Sequence, residues 1–147
     1  MEYFSNSKVG LSKIRTRVAV LVDADNVSQE HADTLMAQAR EIGEPLVLRA
    51  YCDRTKPNGW ERDHRFQMVY LDSRSGKNSS DIRLVIDAMD LAYERVVEAV
   101  FILSTDRDFA PLAHRLRRFG LHVAGMGRSE TSPEFRLACS EFHAMPK

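Results

Sequence analysis

From Arg17 onward the chain is built from short runs rich in Val, Ile and Leu, separated by longer segments whose apolar residues recur at helical spacing. Runs with so little polar interruption suit strands buried on both faces, as in a parallel sheet covered by helices on each side. The spacing predicts strands at Val18–Val22, Leu46–Cys52, Gln67–Leu71, Val100–Leu103 and Leu121–Gly125, and helices at Gln29–Glu41, Ser80–Glu94 and Phe109–Phe119. Strand and helix alternate, so the expected fold class is α/β with a mainly parallel central sheet flanked by helices.

Local signals agree with these boundaries. Ser79 or Ser80 suits the cap of the second helix, Asp108 that of the third with Pro111 in its first turn, and Gly43 and Gly120 follow helices. A length of 147 residues suits one domain with its own core. Residues 1–16 mix polar, basic and isolated apolar residues without a period, and read as a flexible N-terminal arm ahead of a domain spanning 17–147. Lys8, Lys13, Arg15 and Arg17 give that arm groups able to touch phosphate. The segment Asp53–Arg65 is the most loop-like insertion and carries the single Trp.

Basic and acidic residues number 21 each, so net charge leaves no footprint of a nucleic-acid partner, and any such footprint must be local. Cys52 and Cys139 are far apart and form neither a zinc-knuckle spacing nor a disulfide framework; they read as reduced packing thiols. No apolar run approaches the roughly 18 residues that span a bilayer, and the N-terminal stretch lacks a signal-peptide core. The expectation is a soluble, cytoplasmic protein.

In an open parallel sheet, ligands sit beyond the carboxyl ends of the strands. Three segments bring acids there: Asp23-Ala-Asp25-Asn26 after the first strand, Ser104-Thr105-Asp106-Arg107-Asp108 after the fourth, and Ser79-Ser80-Asp81 opening the second helix. Such crowding is costly unless a cation offsets it, and an all-carboxylate set suits Mg²⁺ or Mn²⁺ better than zinc. Each acid also has a plain structural reading, since Asp81 and Asp108 stand where a cap or first-turn acid would stabilise a helix. Asp23 is harder to explain that way, because a carboxylate directly after Val-Ala-Val-Leu-Val needs a partner or a metal.

Within the second helix, Ile82, Val85, Ile86 and Met89 recur at i, i+3, i+4 and i+7 and predict the stripe facing the core. Asp87 then lies about 120° around from Asp81 and roughly 9 Å along the axis. It reads as a support for the site or as structural, and Asp90 as a solvated surface acid.

The segments VLVDADN, KNSSDIRLVIDAMDLA and FILSTDRDFAPLAHRLRRFGLHVAGMG resemble the successive signatures of the NYN family of PIN-like nucleases, and TSPEFRLACSEFHAM resembles that family's closing helix and strand. The likeness runs in order from about Arg17 to Met145. It implies a Rossmann-like PIN fold, a metal site of Asp23, Asp81, Asp106 and Asp108 with Asn26 orienting the first acid, and Mg²⁺- or Mn²⁺-dependent hydrolysis of RNA in processing or decay. It further implies 5′-phosphate and 3′-hydroxyl products.

Around these acids, Ser104 and Thr105 offer supporting hydroxyls. Arg54, Lys56, Arg62, Arg65, Arg74, Lys77, Arg107 and Arg128 are the candidates to bind single-stranded RNA. Trp60 and Phe66 have faces on which bases stack, although a Trp covering the core under a loop fits equally well. The run His114, Arg115, Arg117 and Arg118 reads as a solvated helix face, and none of the five histidines is placed for metal-free RNase chemistry.

Two other readings stay open from the residues. Asp23-Ala-Asp25 imitates the nucleophile and acid of haloacid-dehalogenase-like phosphatases, but Asn26-Val27 stands where those show a Thr-containing turn. A non-catalytic RNA-binding domain, with a second copy or a separate RNA-binding partner, is the other. Gly125-Met126-Gly127 alone is too little for dinucleotide binding.

Overall fold

The computed structural model describes residues 16–56, 58–72 and 79–145. Its strands are β1 (Arg17–Asp23), β2 (Glu44–Asp53), β3 (Gln67–Leu71), β4 (Ala99–Leu103), β5 (His122–Gly127) and β6 (Glu141–Ala144). The helices are α1 (Ala32–Ile42), α2 (Ser79–Tyr93), α3 (Ala110–Arg118) and α4 (Pro133–Ala138), with single 3₁₀ turns at Gln29–His31, Gly59–Arg62 and Arg107–Phe109. All five strand pairings are parallel, in the order β3-β2-β1-β4-β5-β6. The chain is therefore an α/β protein whose strand order reverses between β1 and β4, leaving a crevice beyond their carboxyl ends.

The apolar runs behave as strands covered on both faces. In β1, Val18, Val20 and Val22 join a core with Leu35, Met36 and Ala39 of α1, while Ala19 and Leu21 join the opposite core with Leu84, Ala88 and Leu91 of α2 and Leu112 and Leu116 of α3. Burying one such side chain contributes roughly 1.5 to 3 kcal/mol, so two continuous layers hold the sheet between helices. No helix among the described residues is long and apolar enough to cross a membrane.

Several local expectations need correction. Of the second helix's Ile82–Val85–Ile86–Met89 stripe, only Val85 and Met89 pack against the core, at its margin; Ile82 and Ile86 are exposed, and the buried face is Leu84, Asp87, Ala88, Leu91 and Ala92. Ser79 and Ser80 are helical residues of α2 rather than its cap. Asp108 does not cap the third helix; a 3₁₀ turn intervenes, and Asp106 caps that turn by accepting from the Asp108 N–H at 2.9 Å. Strand β2 begins at Glu44, two residues ahead of the predicted start, whereas the closing helix and strand that the resemblance implies are present as α4 and β6, the latter parallel to β5.

Asp53–Arg65 is less open than its composition suggests. Buried Asp63 accepts from the Arg65 N–H and guanidinium, Arg65 also reaches Asp33, and Trp60 lies under the segment. Of the N-terminal arm, residues 1–15 with Lys8, Lys13 and Arg15 lie outside the described residues. The Thr16 carbonyl accepts from the Glu44 N–H at 2.7 Å, and Arg17 is ion-paired with Glu98. Gly43 permits the first contact, since a Cβ there would lie 2.0 Å from the Thr16 carbonyl oxygen.

Candidate active site

Strand β1 delivers Asp23 to the reversal point. Its side chain is buried at 1% exposure, so its charge must be met by nearby donors. The Asn26 amide donates to both oxygens at 3.1 and 3.0 Å, and the Ser104 hydroxyl, just beyond β4, donates to Oδ2 at 2.9 Å. Burial is the largest influence on Asp23 and raises its pKa; Asn26 and Ser104 oppose the rise, while the charges of Asp106 and Asp25 add to it.

The same Ser104 oxygen accepts from the Asp106 N–H at 3.0 Å, tying the segment after β4 to the first acid. Asp106 in turn holds the turn that presents Asp108, which is exposed. Asp81 stands in the first turn of α2 and is half-buried. Its pKa is raised to about 6, first by burial and then by the charges of Asp23, Asp106, Asp108 and Asp25. Three chain segments thus form one electrostatically coupled set.

Asp25 is a member that the resemblance leaves out of the metal set. It adds negative charge to Asp23 and Asp81 while its two oxygens accept from the Asp53 N–H at 3.2 and 3.0 Å. The DADN motif already contained the signal, two residues beyond Asp23, but only the adjacency of β1 and β2 shows where the second acid goes.

Other candidates separate from the acids. Asp87 is buried under α2, where it accepts from the Tyr51 hydroxyl at 2.8 Å and the Arg83 Nε at 3.0 Å, with Arg49 at 3.5 Å. It holds α2 onto β2 rather than facing the crevice. Thr105 makes no hydrogen bond among the described residues, unlike Ser104. Trp60 and Phe66 are buried edge-to-face, and the Trp60 N–H donates to the Val27 carbonyl at 2.8 Å, so neither offers a stacking face to a base.

The cations divide similarly. Arg65 is engaged by Asp63 and Asp33, and Arg128 pairs with Glu130. Arg54, Lys56, Arg62 and Arg107 are exposed and without ion pairs among the described residues. Arg54 and Lys56 follow the carboxyl end of β2, and Arg107 stands between two of the acids. Arg74 and Lys77 lie outside the described residues. His122 and His143 both pair with Glu141, at 2.5 and 2.7 Å, on β5 and the edge strand β6.

The donors at the crevice are carboxylate and hydroxyl oxygens, the chemistry of a hard divalent cation. Among the described residues no three His, Cys, Asp or Glu side chains stand close enough together to hold a metal ion between them. Mg²⁺ does not require three, because it keeps several waters and usually takes one or two carboxylates plus substrate phosphate oxygens. Burial first, and then the neighbouring carboxylates, lift Asp81, and a cation there would offset both.

The family model for the NYN domain matches residues 17–146. No curated protein matches the chain. Among solved structures, a protein of unknown function from Vibrio parahaemolyticus superposes with a TM-score of 0.72 at 21% identity, over 93% of this chain and 97% of that one. At that identity the likeness speaks for the fold.

Proposed function

Because the chain belongs to the NYN domain family, whose PIN-like fold is a nuclease fold, we propose that it is a divalent-metal-dependent ribonuclease working at the β1/β4 crevice. The observation that carries this reading is the elevation of Asp81 to about 6 by burial and four neighbouring carboxylates. Fold stability alone gives no reason to concentrate like charges at a ligand-binding edge.

Asp23, Asp81, Asp106 and Asp108 are the residues that would hold Mg²⁺ or Mn²⁺, with Asn26 and Ser104 fixing the first carboxylate. Such an ion, when bound, makes water a better nucleophile and offsets charge on the scissile phosphate. Asp23 is pre-oriented on both of its oxygens, so little ordering remains to be done on binding. Ser104 couples the two halves by donating to Asp23 and accepting from Asp106. Arg107, flanked by two acids and itself exposed, is the cation nearest in sequence to take a phosphate oxygen, with Arg54, Lys56 and Arg62 along the β2 side of the rim. Single-stranded RNA is the substrate this rim of separate cations suits, and cleavage that leaves a 5′-phosphate and a 3′-hydroxyl is the polarity we assign.

The test is incubation of the protein with end-labelled single-stranded RNA and Mn²⁺ or Mg²⁺, beside an EDTA control and Asp106→Asn. Asn is as good a turn cap as Asp, so the substitution removes charge while keeping local structure. Metal-dependent products that disappear in the variant, with RNA binding retained, support the reading. Equal cleavage by both proteins overturns it, and binding without cleavage by the natural chain transfers the assignment to a non-catalytic RNA-binding domain.

A further inference from the structure

Helix α2 has two apolar faces, and the described residues cover one of them fully and the other only at its margin, where Val85 and Met89 pack against the core. At 100° per residue, Ile82, Met89 and Tyr93 fall within about 60° of Ile86, on the side opposite Leu84, Ala88, Leu91 and Ala92. The inner set is buried against the sheet, whereas Ile82, Ile86 and Tyr93 are 57%, 50% and 74% exposed. Phe119 at the end of α3 packs edge-to-face on Tyr93, with ring centroids 5.4 Å apart, and lengthens the stripe. Large apolar side chains exposed together on one helix face mark an interaction surface.

We propose that this stripe is the interface of a homodimer in which two α2 helices pack antiparallel about a two-fold axis near Ile86. Charge selects a second copy as the occupant. On the flank beside the stripe, Arg83 and Asp90 stand seven residues, about two turns, apart. Arg83 gives its Nε to Asp87, and Asp90 has no ion pair among the described residues. A two-fold between positions 86 and 87 sets Arg83 of each copy opposite Asp90 of the other, so both ion pairs form from one self-complementary surface. Ile82, Ile86, Met89 and Tyr93 carry no charge, and the Arg115 guanidinium at the far end of the stripe lies over the Phe119 ring, 5.3 Å from its centroid. The dimer is independent of the catalytic reading and stands or falls apart from it.

Sedimentation velocity of the full chain across a concentration series tests it. The natural chain should sediment at twice its chain mass, and Ile86→Arg should weaken association by ~100-fold or more, since each copy would lose a buried isoleucine. Ile86 is half-exposed in the single chain, so the variant should keep its circular dichroism. If it fails to fold, Asp90→Arg is judged by the same loss. Ile86→Cys should form an intermolecular disulfide on mild oxidation, without competition from Cys52 and Cys139, which are buried. A monomeric natural chain, undiminished association in Ile86→Arg, or a dimer abolished by removing residues 1–15 alone overturns the proposal. A dimeric Ile86→Cys sample that forms no cross-link overturns the antiparallel register.

Discussion

Replacing Asp81 with Asn should make the metal-free protein more stable while removing its activity. Moving a carboxyl from 3.8 to about 6 corresponds to ~3 kcal/mol of penalty on the charged form at neutral pH. Asp81 is partly open to solvent, and screening reduces this to ~1.5 kcal/mol. Against it stands the favourable placement of an acid in the first turn of α2, worth roughly 0.5 kcal/mol and lost in the variant. The net gain is ~1 kcal/mol, which raises the melting temperature by roughly 2 to 4 °C for a domain of this size.

The pH dependence fixes the sign. Between 3.8 and about 6 the folded chain holds a proton at Asp81 that the unfolded chain has released, so this site costs stability progressively as pH rises through that window. The advantage of Asp81→Asn should be full above about pH 6 and gone near pH 4. Thermal melts in EDTA at pH 7 and pH 4 measure both ends, and added Mn²⁺ should raise the natural chain more than the variant. A variant that melts at or below the natural chain at pH 7 in EDTA would refute the charge-crowding argument.

Three further outcomes follow from the same contacts. Asp87→Ala should lower stability by ~2 to 3 kcal/mol in urea titration, because it strands the Tyr51 hydroxyl and leaves Arg49 and Arg83 without their buried acid, while Tyr51→Phe should cost only ~1 kcal/mol. Gly127→Ala should lose ~1 to 3 kcal/mol, since its Cβ would meet the Ser104 carbonyl oxygen and the Thr131 hydroxyl at 2.6 Å each. Arg65 holds the Asp63 carboxyl below its ordinary range; this stability is present above the unfolded carboxylate value and lost as pH falls through the depressed one. The gap between the natural chain and Asp63→Asn, measured by acid-dependent melts, should therefore close below about pH 4.

The helices and strands were legible wherever one residue pattern had one structural solution. Val-Ala-Val-Leu-Val reads as a strand covered on both faces, and β1 alternates between two cores as that reading requires. Helix α2 shows where the pattern becomes ambiguous: it carries two apolar stripes, and spacing alone chose the one of which Val85 and Met89 reach the core while Ile82 and Ile86 face outward. The inward stripe contains Asp87, which looks unsuited to a core until Tyr51, Arg49 and Arg83 are seen to satisfy it. The cap moved from Asp108 to Asp106 because a 3₁₀ turn precedes α3, a two-residue offset that composition does not encode.

The sequence by itself determined the alternation of strand and helix, the family, and which acids follow β1 and β4 and open α2, because these depend on residue type at short range. Only the tertiary structure decided which of those acids share one field. The strand order β3-β2-β1-β4-β5-β6 places Asp23 beside Ser104 across 81 positions of chain. It also brings β1 and β2 together, which assigns Asp25 to the Asp53 N–H, buries Trp60 and leaves Ile86 outside. Contacts so distant along the chain depend on how the layers pack, and packing selects among faces that local periodicity leaves equivalent.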